Sequence, residues 1–317
     1  MKRPLWLLLV ILTGCAAPLP EVDGADLSFA LMGDTPYDAA EVRELDTLIG
    51  DLNAHELAFV VHVGDITGGR GPCTDAWFEA RKRQFQNIRH PFVLIPGDND
   101  WLDCHRTGFD PLERLNKLRE LFLSGDQNLG RRSIPLERQS SDPRFPEYRE
   151  HVRWIAGNVV FIGLNVQGSN NNLGRTKLMD EEYRHRMAAV LAWLDESVAL
   201  AEQRQLSGAV ILIQANPGFE RPARPLGGAP DGFAEFRDAL RKAALRFGKP
   251  MLLVHGDTHV YQQNQPLIDP SSGKPVANFF RVEVPGSPQV RWLKAGISRE
   301  RAVMFSISPA APPATAP

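Results

Sequence analysis

The 317-residue chain carries 36 Lys and Arg against 38 Asp and Glu, a formal charge of −2 at pH 7. Such a length suits one large α/β domain with a core big enough to stand without cross-links. The near-neutral balance, with no strongly basic stripe, argues against a nucleic-acid partner.

The first predicted element is an export signal. Lys2 and Arg3 form a positive start, and Leu5 to Leu12 is an apolar stretch too short to span a bilayer stably. Leu12-Thr13-Gly14-Cys15 follows and resembles the bacterial lipoprotein signal, cleaved before Cys15 with lipid on that thiol. An ordinary secretory signal with an incidental cysteine is the alternative. The resemblance implies a signal peptide over 1–14, a lipidated Cys15 with a tether over 15–26, and attachment to a lipid bilayer on its periplasmic side. Ala16, standing where Asp would hold such a lipoprotein at the inner membrane, implies the outer membrane. Cys73 and Cys104 remain, enough for one disulfide in an oxidising space. Two buried thiols or two soft metal ligands are the alternatives. Neither cysteine sits in a CxxC motif, which disfavours zinc, and the disulfide is the expectation.

Along the remaining chain, short apolar runs alternate with helical patterns. The runs are Leu27–Met32, Ala58–Val63, Phe92–Ile95, Val159–Leu164, Ala209–Ile213 and Met251–Val254, each reading as a strand buried on both faces. Helices are predicted over Ala39–Asn53, Thr74–Arg89, Pro111–Leu123, Glu181–Gln205 and Gly232–Phe247. In the fourth, Met187, Val190, Leu191, Leu194 and Val198 fall on one face. This alternation implies helices layered around a largely parallel sheet. After Gly256 the pattern predicts antiparallel strands over Asn278–Val284, Val290–Leu293 and Met304–Ile307, with turns at Pro285-Gly286 and Lys294–Gly296. The polar segment 124–148 reads as a surface insertion over part of the site, and 309–317 as a disordered Pro/Ala tail. The main domain is thus 27–308, with no internal repeat.

The turns after the strands carry the chemistry. They are Gly33-Asp34-Thr35-Pro36-Tyr37, Gly64-Asp65, Gly97-Asp98-Asn99-Asp100, Asn165, Gln214-Ala215-Asn216-Pro217 and His255-Gly256-Asp257-Thr258-His259. A parallel α/β sheet sets such turns side by side at its carboxyl edge. One Gly-Asp alone is usually a turn device, with Gly supplying positive φ. An ordered series of them, each after an apolar strand, gathers carboxylates that repel unless cations compensate.

In order and approximate spacing this set is similar to the calcineurin-like metallophosphoesterases, which carry D-x-H, G-D, G-N-H-D/E, a later His after a strand, and G-H-x-H. The resemblance covers nearly all of the main domain. It implies a layered α/β sandwich of mixed sheets flanked by helices, with a metal crevice at the carboxyl ends of the strands. It also implies phosphoester hydrolysis by a hydroxide held between two cations. By that resemblance Asp65 bridges the two ions. Asp34 and His259 serve the first, and Asp98, Asn216 and Asp257 the second.

The departures concern the histidines. Pro36, Asp98, Asn99 and Asp257 stand where the pattern has His, Asn, His and His. The later His falls on Gln214 or Asn216, of which Pro217 favours Asn216. Oxygen donors replace imidazoles, so one or two hard divalent ions, Mn²⁺, Mg²⁺ or Ca²⁺, are expected ahead of Zn²⁺. Asn99 holds the place of the catalytic His but cannot protonate a leaving group, so His255, His259 or His105 must do so, or the leaving group needs no acid. His62 reads as a core histidine. Tyr37, Asn165 and Asn170 are candidates to bind a small phosphorylated substrate. A Cys73–Cys104 bond would tie two site loops together. A metal- or phosphoryl-binding lipoprotein without turnover is the alternative function. Oligomeric state is not legible in the sequence.

Overall fold

The computed structural model describes residues 27–220, 228, 230–298 and 304–310. The expected signal, Cys15, its tether and residues 311–317 lie outside that range. In chain order the first elements are β1 (Leu27–Met32), α1 (Ala39–Ala54), β2 (Val60–His62), α2 (Asp75–Phe85), β3 (Phe92–Leu94), a 3-10 helix (Leu102–Thr107) and α3 (Pro111–Phe122). Next come β4 (Glu137–Arg138), β5 (Val152–Ala156), β6 (Val159–Gly163), α4 (Lys177–Gln203), β7 (Gly208–Leu212) and α5 (Ala234–Phe247). The last are β8 (Met251–His255), β9 (Gln262–Asn264), β10 (Phe279–Glu283), β11 (Leu293–Ile297) and β12 (Phe305–Pro309).

The strands form two sheets, ordered β12-β11-β1-β2-β3 and β4-β5-β6-β7-β8-β10-β9. The centre of each is parallel: β1 with β2 and β3, and β6 with β7, β8 and β10. Because side chains alternate across a strand, an all-apolar run feeds two cores. Phe29 and Leu31 of β1 point between the sheets, where they meet Phe59, Phe161, Val210 and Val254. Ala30 and Met32 point outward to Leu45 of α1, Phe78 of α2 and Leu115 of α3. On the far side, Val160 and Ile162 pack against Met187, Val190, Leu194 and Val198 of α4 and Leu240 of α5. The result is four layers, helix, sheet, sheet, helix. Between the sheets Phe29 stacks on Phe59 at 5.1 Å and Phe59 meets Phe161 edge-on at 4.9 Å. Each such pair adds roughly 0.5–1.5 kcal/mol beyond burial.

Local signals set the helix starts. Asp38, Thr74, Asp110 and Thr176 accept hydrogen bonds from the first free N–H groups of α1 to α4. The Thr176 cap is why α4 begins at Lys177, a turn before its apolar stripe. Four expectations are corrected. β10 runs parallel to β8, not antiparallel, because a long connection carrying β9 returns the chain to the same end. β11 spans Leu293–Ile297, through the residues read as a turn, because pairing with β1 supplies the backbone bonds that Lys294-Ala295-Gly296 cannot announce by composition. Segment 124–148, read as a surface insertion, joins the sheet edges through Leu129 beside Phe92 and β4 beside β5. Finally, β12 reaches Pro309, which pairs with Leu293. No helix among the described residues is long and apolar enough to cross a membrane.

Candidate active site

The parallel centres of both sheets end at one edge, and there the turns close on one another. Asp34, Asp65, Asp257 and His259 adopt left-handed backbone, with φ of 51°, 60°, 81° and 61°. That conformation is costly for side chains with a Cβ, and such residues cluster at functional sites. The sequence reading assigned positive φ to the glycines, yet of these pairs only Gly64 takes it, at 102°. The other glycines serve close approach. A Cβ on Gly256 would strike the Asp34 carboxylate, and one on Gly97 would strike Asp65.

Asp65 is the hub. Its Oδ1 accepts from Asn99 N–H at 3.0 Å, and its Oδ2 from Asn99 Nδ2 at 2.9 Å, Gln214 Nε2 at 3.0 Å and Tyr37 Oη at 3.2 Å. Beneath it, Asp100 accepts from the N–H groups of Gly97, Asp65 and Ile66 at 2.8, 3.0 and 2.7 Å, locking two turns together. Asp34 Oδ1 accepts from Asp257 N–H at 3.0 Å, while Asp34 Oδ2 is buried without a partner. His259 donates from Nδ1 to the Ser287 carbonyl at 2.8 Å, which leaves the Nε2 lone pair facing Tyr37 Oη at 3.0 Å and Asp34 at 3.6 Å. His62, fully buried, donates from Nε2 to Thr35 O at 2.8 Å and accepts from Gly64 N–H at 3.2 Å, so it braces the turns that carry Asp34 and Asp65.

Burial and mutual repulsion raise these carboxyls. Asp34, Asp65 and Asp257 are pushed well above the usual carboxylate range by desolvation, with neighbouring carboxylates adding to it. Asp98 is pushed up to about 6 by burial and then by Asp103. Burial raises Asp100 to about 7 against three backbone donors. The same burial and charges drive the Tyr37 phenol far upward, so it stays protonated.

The second side of the crevice is the loop after β6. Ser169, Asn170, Asn171 and Asn172 are all left-handed, with φ of 50° to 72°. Arg186 of α4, fully buried, holds this loop through Asn171 Oδ1 at 2.6 Å, Asn171 O at 2.9 Å and Asn165 O at 2.9 Å. The loop presents the bare α-carbon of Gly168 to two carboxylates: an added Cβ would lie 2.8 Å from Asp98 Oδ2 and 2.9 Å from Asp257 Oδ1. Ser169 Oγ donates to Asp98 at 2.8 Å and reaches Asp103 at 3.2 Å.

The structure therefore brings together Asp34, Asp65, Asp98, Asn99, Asp257, His259 and Tyr37. Four expected residues lie elsewhere. His255 is sealed in the sheet as the last residue of β8, bonded to Gly256 O and pushed down to about 3 by burial, so it offers no proton to the crevice. Asn165 turns to Glu150 at 3.3 Å, inside a polar core. Asn170 ties Leu173 O, Pro230 O and Gly232 N–H, which is loop scaffolding. Asn216 lends only its N–H to Asp257, and its side chain caps Gly218; Gln214 is the amide that enters the cluster. His105 sits on the rim. Asp103 and Ser169 also reach the cluster, though no motif in the sequence marks them, and Ser169 adjoins the candidate Asn170. Asp100 stood in the third turn and was passed over. Cys73 and Cys104 form the expected disulfide, with Cα atoms 5.7 Å apart. Its sulfurs lie 3.8 and 3.5 Å from the Asn99 carbonyl oxygen.

No three His, Cys, Asp or Glu side chains among the described residues form a ready-made cage about one point. The donor chemistry nevertheless fits a hard divalent cation. The unpartnered Asp34 Oδ2 faces the crevice, and beside it lies His259 Nε2, which meets Tyr37 Oη. No Lys or Arg among the described residues forms an ion pair with Asp34, Asp65, Asp98 or Asp257 to balance their charge.

No family model and no curated sequence matches this chain. Solved structures do. PhoD superposes with a TM-score of 0.53 at 11% identity over 89% of this chain and 65% of its own. A dimetal phosphatase from Danio rerio gives 0.50 at 14%, over 90% of this chain and 96% of that one. The purple acid phosphatase PPD1 from yellow lupin (Lupinus luteus) seeds gives 0.50 at 13%, over 85% of this chain and 49% of that one. This chain thus spans just under two thirds of PhoD and about half of the lupin enzyme. The fold is the calcineurin-like metallophosphoesterase fold, two mixed sheets between helices. At these identities the likeness carries the fold and not the reaction.

Proposed function

We propose that this chain is a divalent-metal-dependent phosphoester hydrolase acting on a small phosphorylated compound in the cell envelope, held there through an acylated Cys15. One observation carries the reading: carboxylates from four strand ends, three of them buried, converge without an ion pair to any Lys or Arg among the described residues. Asp34, Asp65, Asp98, Asp257 and His259 would hold the metal. When bound, it supplies Lewis-acid stabilisation of charge on phosphoryl oxygens and acidifies water. The chain's own residues do the rest. Ser287 fixes the tautomer of His259, Tyr37 bridges His259 and Asp65, and Asp100 and His62 hold the turns in place. Neither the Asn99 nor the Gln214 amide can give a proton, so the substrates are those whose leaving group departs as a stable anion.

A second reading, a phosphoryl-ligand binder without turnover, is favoured by the three donors already crowded on Asp65 Oδ2. Metal analysis of the purified mature protein separates the two, paired with monoester and diester assays under Mn²⁺, Mg²⁺ and Ca²⁺. Turnover that Asp65→Ala abolishes supports the hydrolase. Bound metal with no turnover on any ester supports the binder, and a crevice that takes none of the ions overturns both.

A further inference from the structure

The carboxylate crevice is flanked on one side by cationic groups that the reading above does not use. Asp103, 2% exposed at its side chain, pairs with Arg106 Nη1 at 2.7 Å and draws Arg175 Nη1 to 3.8 Å. His105 donates from Nδ1 to Leu102 O at 3.0 Å and accepts from Arg175 through Nε2, so the ring is neutral and adds no positive charge. Arg70 is exposed, makes no ion pair among the described residues, and stands close enough to influence His105 electrostatically. Two guanidinium groups thus share one rim carboxylate, with a third nearby.

Their position matters more than their number. A Cβ added at Gly69 would meet Arg106 Nη1 at 2.9 Å and Asn99 Oδ1 at 3.0 Å, so these two side chains face each other across a bare α-carbon. Asn99 is itself bonded to the hub carboxylate Asp65. Arg106 and Arg175 keep 37% and 25% of their side chains exposed, so a ligand in the crevice can reach them. Positive charge therefore lies on the Asn99–Ser169 side of the site, beside the Asp98 and Asp103 carboxylates that Ser169 joins.

We propose that Arg106, with Arg175 beside it, receives a second phosphoryl group, and that the substrate class is the phosphoanhydrides. This rests on the hydrolase reading. A water oxygen bonds to the phosphorus held at the carboxylates, the bridging P–O bond breaks, and its electron pair leaves with the departing phosphate beside Arg106. The proton that a diphosphate carries near neutral pH leaves with that phosphate, as the hydrogen phosphate dianion, so no side chain has to supply one, which agrees with amides where an acid would otherwise stand. The water proton passes to solvent through the open rim. An alkyl monoester, whose alkoxide needs a proton and carries no second anion, gains from neither feature.

The test uses the metal-loaded mature protein and its Arg106→Gln and Arg175→Gln variants, with Arg106→Lys as the charge-retaining control. Calorimetry measures binding of methylenediphosphonate, whose P–C–P bridge resists hydrolysis, against orthophosphate. Kinetics give the ratio of kcat/KM for inorganic pyrophosphate over 4-nitrophenyl phosphate. Arg106→Gln is expected to lower both the diphosphonate preference and the pyrophosphate ratio about tenfold or more, the worth of a charge-assisted hydrogen bond, with partial recovery in the Lys variant. Equal losses on both ligands, no change in either ratio, or no binding of the diphosphonate overturns the proposal. Hydrolysis of the nitrophenyl ester with an unmoved ratio rejects the rim and keeps the hydrolase. Diphosphonate binding that depends on Arg106, without turnover of either ester or anhydride, keeps the rim and rejects the hydrolase. Should Arg106→Gln lower the thermal midpoint, Arg175→Gln carries the same comparison.

Discussion

Single residues in this crevice are held by geometry that tolerates little. Gly64 combines a φ of 102° with a neighbour so close that an added Cβ would sit 2.6 Å from Gly97 N. Gly64→Ala should cost about 2–4 kcal/mol, since strain and overlap add, seen as a lower urea midpoint at unchanged slope. At Asp65 the comparison of Asn with Ala is informative. Asp65→Asn keeps the size but places an amide among four donors, so both variants should lose metal, measured by direct metal analysis. The ordered Gly-Asp turns made the carboxylates legible in the sequence. What hid Asp103 and Ser169 is that each reaches the site from outside those turns, one on a short 3-10 helix and one on a left-handed loop. Composition has no mark for either.

At the scale of elements, the apolar runs made the strands plain because each is buried on both faces. Half-exposed β5, and β9 with its Gln262, Gln263 and Asn264, carry no such run and went unseen. The same limit applied to helix α4. Its apolar stripe was readable, but not that Arg186 on it is fully buried and grips the loop that carries Gly168 and Ser169. Arg186→Met should destabilise the fold by roughly 3–5 kcal/mol, because Glu182 and two backbone carbonyls lose a buried partner. It should also weaken metal binding, since Ser169 no longer steadies Asp98. Arg186→Lys should recover little of this, as one ammonium cannot span the fork of acceptors. Chemical unfolding and metal titration on the same variants check both statements.

For the whole molecule, two sets of buried groups pull stability in opposite directions with pH. Burial pushes His62 down to about 4 and His151 to about 3. Their unfolded counterparts charge near 6.5, so they favour the fold above that pH and cost stability as pH falls towards 4. Glu150, opposite Arg119 and pushed down to about 2, holds its contribution until pH falls below roughly 4.5 and loses it towards 2. Asp98 and Asp100, raised to about 6 and about 7, behave in reverse, and their contribution is lost as pH rises through those values. In chelator the thermal midpoint should therefore climb as pH is lowered from about 7.5 to 5.5. With saturating Mn²⁺ the carboxylates stay ionised, and the histidines should make the midpoint fall over the same interval. Identical profiles in the two buffers would contradict a metal-compensated cluster.

The Cys73–Cys104 bond gives this architecture a dependence on when and where it is finished. It closes a loop spanning 31 positions that contains α2, β3 and the whole Asp98–Asp100 turn, and it ends on the helix bearing Asp103 and Arg106. In a reducing cytosol such a bond does not persist, so newly made chains there lack roughly 3–4 kcal/mol of loop-closure stabilisation. The crevice would then mature only after oxidation, and under the proposed hydrolase function the site would stay idle during synthesis. Cytosolically produced, reduced protein should bind metal weakly and gain affinity as its two thiols disappear on oxidation.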